Sequence, residues 1–156
     1  MKYRVLIFLM SLTLLFGCND GYVEKEVPFE KLSSEVTGIN FANSITPNIE
    51  TQENLFDYDY FYNGSGVGIA DINNDGLKDI LFTANQQDNR LFLNKGNLKF
   101  EDITKLSNIN SANKKWSSGV TFVDLNNDGW LDVYISQGGP NSAKSRKNLL
   151  LINNQI

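Results

Sequence analysis

Residues 66–94 read GVGIADINNDGLKDILFTANQQDNRLFLN, and residues 119–153 read GVTFVDLNNDGWLDVYISQGGPNSAKSRKNLLLIN. The two stretches are one pattern written twice. Gly66 matches Gly119 and Asp71 matches Asp124, both at a spacing of 53 residues. Asn94 matches Asn153 at a spacing of 59, so the second copy holds six extra residues near GGPNSAKSR. Repetition on this scale marks stacked, similar units, each relying on its neighbour for burial. Within each unit the apolar runs are short and bounded by Gly, Asn and Asp, as in strands. Residues 67–70 enter a polar loop, residues 80–83 leave it, and residues 90–94 form a third strand. Residues 94–97, Asn-Lys-Gly-Asn, read as a tight turn in which Gly96 supplies a positive φ. Residues 98–103 follow as a fourth strand, with Leu98, Phe100 and Ile103 set against Lys99, Glu101 and Asp102. No segment shows a helical period closed by a cap.

Four short antiparallel strands make one blade of a β-propeller. The expected fold class is therefore all-β: a partial β-propeller of about two four-stranded antiparallel blades. The second is expected to be incomplete, because residues 153–156 stand where the first unit turns into its fourth strand. Two blades do not close a ring, so the sequence reads as the front part of a longer protein. The expected organisation is a signal peptide over 1–17, a tether over 18–28, and leading strands over 29–65. A first blade over 66–103, a connection over 104–118 and a truncated second blade over 119–156 follow. FEKLSSEVTGIN, from Phe29, echoes FEDITKLSNIN, from Phe100, and marks residues 36–43 as a candidate outer strand. Tyr58, Tyr60 and Tyr62 alternate in LFDYDYFYNG; they read as an inward-facing strand beside the core in preference to a sugar-stacking face, as does Trp116.

The loops between the first two strands carry the chemistry. DINNDGLKD and DLNNDGWLD both fit D-x-N-x-D-G-x-x-D. A hard Ca²⁺ ion takes six to eight oxygen ligands, backbone carbonyls among them. Asp71, Asn73 and Asp75, and Asp124, Asn126 and Asp128, place side-chain oxygens at alternate positions where they can converge. Gly76 and Gly129 permit the sharp return of the chain. The carbonyls of Leu77 and Trp130 come next, and Asp79 and Asp132 complete the two sets. No nitrogen or sulfur ligand is present, which disfavours zinc, copper and nickel. An EF-hand needs a bidentate Glu at loop position 12; here that position falls on Phe82 and Ile135.

The N-terminus reads as an export signal. Lys2 and Arg4 precede an apolar stretch running to Phe16, and Gly17 stands before Cys18. That core is shorter than the ~18 residues of a spanning helix. LLFGC resembles a bacterial lipobox, which implies lipidation of Cys18 and a lipid-anchored place on the cell envelope. Removal of residues 1–17 takes two of the 14 basic residues and none of the 18 acidic ones, so the charge moves from −4 to −6. A chain this acidic is a poor nucleic-acid partner. The complete lack of His excludes Ser-His-Asp and Cys-His catalysis within the chain.

The paired loops with their leading Gly-Val strands resemble FG-GAP repeats, also called VCBS repeats, of integrin α-subunit propellers and bacterial surface proteins. TGINF from Thr37, YFYNGSGVGIADINNDGLKDILF, KFEDIT and WSSGVTFVDLNNDGWLDVYIS together resemble the bacterial cartilage-acidic-protein-like group, which often carries an ASPIC/UnbV domain. The resemblance implies a propeller with Ca²⁺ in the first loop of each blade. The expected function is a non-enzymatic calcium-binding module of an envelope-anchored lipoprotein that binds a protein or glycan ligand. The alternative is an accessory propeller of a larger polysaccharide-active enzyme.

Overall fold

A computed structural model describes residues 28–110, 116–140 and 146–155. The signal peptide, Cys18 and all of the expected tether but Pro28 lie outside them. The chain divides into two units, Met1–Lys31 and Leu32–Ile156. Of the first, residues 28–31 are described, in irregular backbone.

Among its described residues the second unit is built of β-strands, with an α-helical turn near its start. Strands β1 (Val67–Ala70), β2 (Asp79–Phe82), β3 (Arg90–Asn94) and β4 (Phe100–Asp102) form one antiparallel sheet in the order β1-β2-β3-β4. Strands β5 (Trp116–Val123), β6 (Asp132–Gly138) and β7 (Leu149–Leu151) form a second, in the order β5-β6-β7. This is the partial propeller expected from the repeat: a blade of four strands and a blade of three.

The blades stack face to face. Leu81 and Leu91 of the first blade and Ile109 meet Val133 and Ile135 of the second, all buried, with Ile103, Val120, Phe122, Leu149 and Leu151 around them. The repeat aligns Asp79 with Asp132, so Leu81 is the counterpart of Tyr134, and Phe82 of Ile135. Their burial is inverted. Leu81 is fully buried and Tyr134 is 40% exposed, while Ile135 is fully buried and Phe82 only partly. The reason is that strand side chains alternate between faces. The first blade offers its rear face to the contact and the second offers its front face. The glycines used to align the repeats set how close the inner strands come. A Cβ on Gly66 would lie 2.9 Å from the Gly119 Cα, and one on Gly68 would lie 2.7 Å from the Phe122 ring.

Four expectations are corrected. The fourth strand begins at Phe100, not at residue 98, because the turn is wider than four residues. The Lys95 N–H reaches the Lys99 carbonyl at 2.8 Å, and Gly96, Asn97 and Leu98 all have positive φ. The second blade begins at Trp116, within the expected connection, and bulges between Ser117 and Gly119. Residues 36–43 form no outer strand. Residues Ser34–Thr37 make one helical turn, α1, ended by Gly38 in the left-handed conformation. Phe41 then stacks on Phe82 with ring centroids 5.2 Å apart. The Tyr58-Tyr60-Tyr62 run is a series of turns, not a strand. Its buried member is Phe61, which packs on the buried Trp116; Tyr60 and Tyr62 are exposed.

Polar side chains fix this leading segment to the first blade. Asn43 and Asn85 bond reciprocally, with the Asn43 amide 2.6 Å from the Asn85 Oδ1 and the Asn85 N–H 3.0 Å from the Asn43 Oδ1. The Gln86 amide donates to Glu53 at 2.9 Å and to the Thr46 carbonyl at 3.0 Å.

Candidate metal centre

Each loop folds through bonds from its own backbone to its own polar side chains. In the first loop the Asp71 carboxylate accepts the N–H groups of Asp75 at 3.1 Å and Gly76 at 2.8 Å. Asn73 Oδ1 accepts the same Asp75 N–H at 3.2 Å, and its amide donates to Asp75 Oδ2 at 3.0 Å. Asp75 Oδ1 accepts the Leu77 N–H at 2.8 Å. The second loop repeats this with the same atoms. Asp124 accepts from Asp128 at 3.1 Å and Gly129 at 2.9 Å; Asn126 bonds Asp128 through both its amide atoms; Asp128 accepts from Trp130 at 2.9 Å. Gly76 and Gly129 take φ of 85° and 87°, where a Cβ would be strained.

The structure thus gathers Asp71, Asn73 and Asp75 in one turn, and Asp124, Asn126 and Asp128 in the other. Leu77 and Trp130 belong to the same turns. Asp79 and Asp132 stand apart from these exposed or half-buried side chains in being fully buried. Asp79 accepts the Ile72 N–H at 2.9 Å on Oδ2 and the Asn94 N–H at 2.8 Å on Oδ1. Asp132 accepts the Leu125 N–H at 2.9 Å and the Asn153 N–H at 2.9 Å in the same way. Each therefore pins the start of its loop to the end of the third strand. A carboxylate oxygen has two lone pairs, so each retains acceptor capacity beyond that role.

Electrostatics separates the two kinds of acid. The Leu77 N–H first, then the Asn73 amide, hold Asp75 below the usual carboxylate range. The Trp130 N–H and the Asn126 amide do the same for Asp128. Stability tied to these two carboxylates is present above the ordinary carboxylate range and is lost as pH falls through their lowered folded values. Burial pushes Asp79 the other way, upward, against its two backbone donors, and the charges of Asp75 and Asp71 add to the rise. Its contribution is fully present below its unfolded pKa and is lost as pH rises through the raised folded value. Among the described residues the ion pairs are Arg90–Asp102 and Lys95–Glu101, so no loop acid is in a direct ion pair; the Lys95 charge acts on Asp75 only as a minor contribution.

The donor set fits a hard cation: carboxylate, amide and carbonyl oxygens, with two carboxylates held ionised and unpaired. Among the described residues no three His, Cys, Asp or Glu side chains form a metal-holding group. The fit therefore rests on one exposed and one half-buried acid per loop, Asp75 with Asp71 and Asp128 with Asp124, supplemented by Asn and backbone oxygens.

Several contributors escaped the sequence reading. Asn74 and Asn127 have φ of 57° and 60°, a conformation Asn tolerates better than most residues. The Asn-Asn pair in each loop was the available signal. Asn94 and Asn153 close the exits: Asn94 donates to the Lys78 carbonyl at 2.9 Å, and Asn153 to the Leu131 carbonyl at 3.2 Å. The loops also touch each other. Asn74 donates to the Gly129 carbonyl at 3.2 Å, and Asn153 to the Ile72 carbonyl at 2.8 Å.

Sheet stacking and the doubled loop define a class, the repeat module of β-propeller type. Residues 71–135 match the family model for the FG-GAP-like repeat, from the first acid of loop one to the second strand of the second blade. No match to the chain is found among curated proteins.

Proposed function

We propose that each loop binds one Ca²⁺ and that the chain is a non-enzymatic, calcium-stabilised propeller module presenting a binding surface for a protein or glycan. The observation that carries this reading is the repetition of one hydrogen-bond framework, atom for atom, in two loops on separate sheets. Asp71, Asn73 and Asp75, with Asp124, Asn126 and Asp128, would supply side-chain oxygens, and Leu77 and Trp130 would supply carbonyls. Asp79 and Asp132 hold the loops in shape and have lone pairs to spare. Calcium would supply positive charge beside Asp75 and Asp128, the carboxylates held below the usual range, neither of them in a direct ion pair; no step of chemical catalysis is assigned. Calorimetry of the protein should show two sites with Kd of about 10⁻⁴ to 10⁻³ M, as in extracellular modules. Asp75→Ala and Asp128→Ala should each remove one site and leave the far-UV spectrum unchanged, because both side chains are exposed. Absence of binding heat at millimolar Ca²⁺ overturns the reading.

We further propose that Cys18 is lipidated after cleavage behind Gly17, anchoring the module to a bacterial envelope membrane. The lipobox-like LLFGC stretch supports this, and two or more acyl chains give stable anchoring. Cys18→Ser should move the protein to the soluble fraction or arrest its processing. Unchanged mass and unchanged membrane partition would refute it.

A further inference from the structure

The two loops belong to separate sheets, yet two side-chain amides tie one to the other. Asn74 donates to the Gly129 carbonyl at 3.2 Å. The Asn153 amide divides its N–H groups between the loops, one to the Ile72 carbonyl at 2.8 Å and one to the Leu131 carbonyl at 3.2 Å. The positions so joined are what matters. Ile72 stands between Asp71 and Asn73, and Asn74 between Asn73 and Asp75. Gly129 stands between Asp128 and Trp130, and Leu131 between Trp130 and Asp132. Each link therefore joins two residues that are themselves flanked by candidate oxygen donors.

The linked peptides are also held from within their own loops. The Ile72 N–H goes to the Asp79 carboxylate at 2.9 Å, and the Gly129 N–H to the Asp124 carboxylate at 2.9 Å. The Asn153 N–H goes to Asp132 at 2.9 Å, and the other Asp132 oxygen takes the Leu125 N–H at 2.9 Å. On either side of Asn74, the Asn73 amide bonds the Asp75 carboxylate at 3.0 Å. A shift of a carboxylate in one loop thus reaches a peptide of the other through a short, continuous run of hydrogen bonds.

We propose that the two loops are coupled, so that filling one raises the affinity of the other. Asn74 is the positioning residue that carries the coupling, and Asn153 is the brace that keeps the loops in reach. This rests on the reading of each loop as a Ca²⁺ site. The physical cause is ordering: a loop already held by its filled neighbour has less ordering left to undergo when it takes its own ion. Repulsion between two bound cations acts the other way. The loop tips are exposed, however, and salt screens such repulsion over about 8 Å at physiological ionic strength. The hydrogen-bonded link is not screened. By linkage the effect is reciprocal, each loop raising the other by the same factor.

Calorimetric titration with Ca²⁺ at physiological salt tests the coupling. Asp128→Ala reports the first site alone, and Asp75→Ala the second. The product of the two association constants of the unaltered protein should exceed the product of these single-site constants by about five-fold or more, the lower end of typical coupling. In the Asn74→Gly background the same ratio should fall to about one. Glycine keeps the left-handed conformation that Asn74 adopts at φ 57° and lacks the amide, and the position is exposed, so the fold is preserved. Nuclear magnetic resonance of Asp128→Ala gives a second readout. Filling the first loop should shift the Gly129 amide resonance across the blade boundary, and adding Asn74→Gly should abolish that shift. A product ratio of about one in the unaltered protein overturns the coupling and leaves two Ca²⁺ sites standing. A ratio or a Gly129 shift that survives Asn74→Gly overturns the role of Asn74. Absence of binding heat in the unaltered protein overturns the calcium reading and the coupling with it.

Discussion

Replacing Asp132 by Ala should lower the unfolding free energy by about 3–5 kcal/mol, the larger effect of any loop substitution, through loss of two hydrogen bonds rather than of metal binding. Asp132 is fully buried, and its two oxygens each accept a backbone N–H, from Leu125 and from Asn153. Truncation strands both donors, and a stranded buried donor costs about 1–3 kcal/mol. Asp132→Asn keeps one acceptor and should cost roughly half as much. The exposed Asp128, one turn away, should cost under about 1 kcal/mol on conversion to Ala in EDTA. Urea unfolding in EDTA separates these outcomes. Equal midpoints for Asp132→Ala and Asp128→Ala would mean that the buried carboxylate does not pin the loop.

The second large effect is a contrast between residues that the repeat makes equivalent. Leu81→Ala and Ile135→Ala should each cost about 2–5 kcal/mol, because both side chains are fully buried where the blades meet and their loss leaves a cavity. Tyr134→Ala, at the position matching Leu81, should cost under about 1 kcal/mol, since that side chain is 40% exposed. Its hydroxyl does accept the Asn148 amide at 2.6 Å, but at an exposed site. Denaturant titrations of the three variants test the stacking directly. If Tyr134→Ala costs as much as Leu81→Ala, the two blades do not bury opposite faces in the way described.

Much of this architecture was legible in the residues. The doubled D-x-N-x-D-G-x-x-D pattern located both loops, and the third strand at Arg90–Asn94 and the first at Val67–Ala70 agree with the structure residue for residue. Such features are local. Alternation, turn glycines and short-range side-chain oxygens act over a few residues, so a single stretch holds all the information needed to place them. The fourth strand was misplaced for the same reason in reverse. Leu98 fits an apolar alternation, yet the turn holds it at positive φ and leaves it 61% exposed, because the backbone bonds of residues 95–99 close a wider loop.

What the sequence by itself determined was the class of fold, the repeat and the two oxygen-rich turns. The tertiary structure decided which face of each blade is buried, and it inverted Leu81 and Tyr134, and Phe82 and Ile135, despite their matched places. It also gave Asp79 and Asp132 an interior bonding role that the loop pattern does not distinguish from ligation. It turned residues 36–43 and the tyrosine run into packed irregular backbone, with Phe41 on Phe82 and Phe61 on Trp116. The physical reason is common to all of these. An alternating strand has two faces of similar chemistry, and a carboxylate accepts equally from an amide or a cation. Which one is used depends on the neighbour that packing brings against it: for the strand faces a residue of the other blade tens of residues away, and for Asp79 and Asp132 the strand exits at Asn94 and Asn153, 15 and 21 residues on.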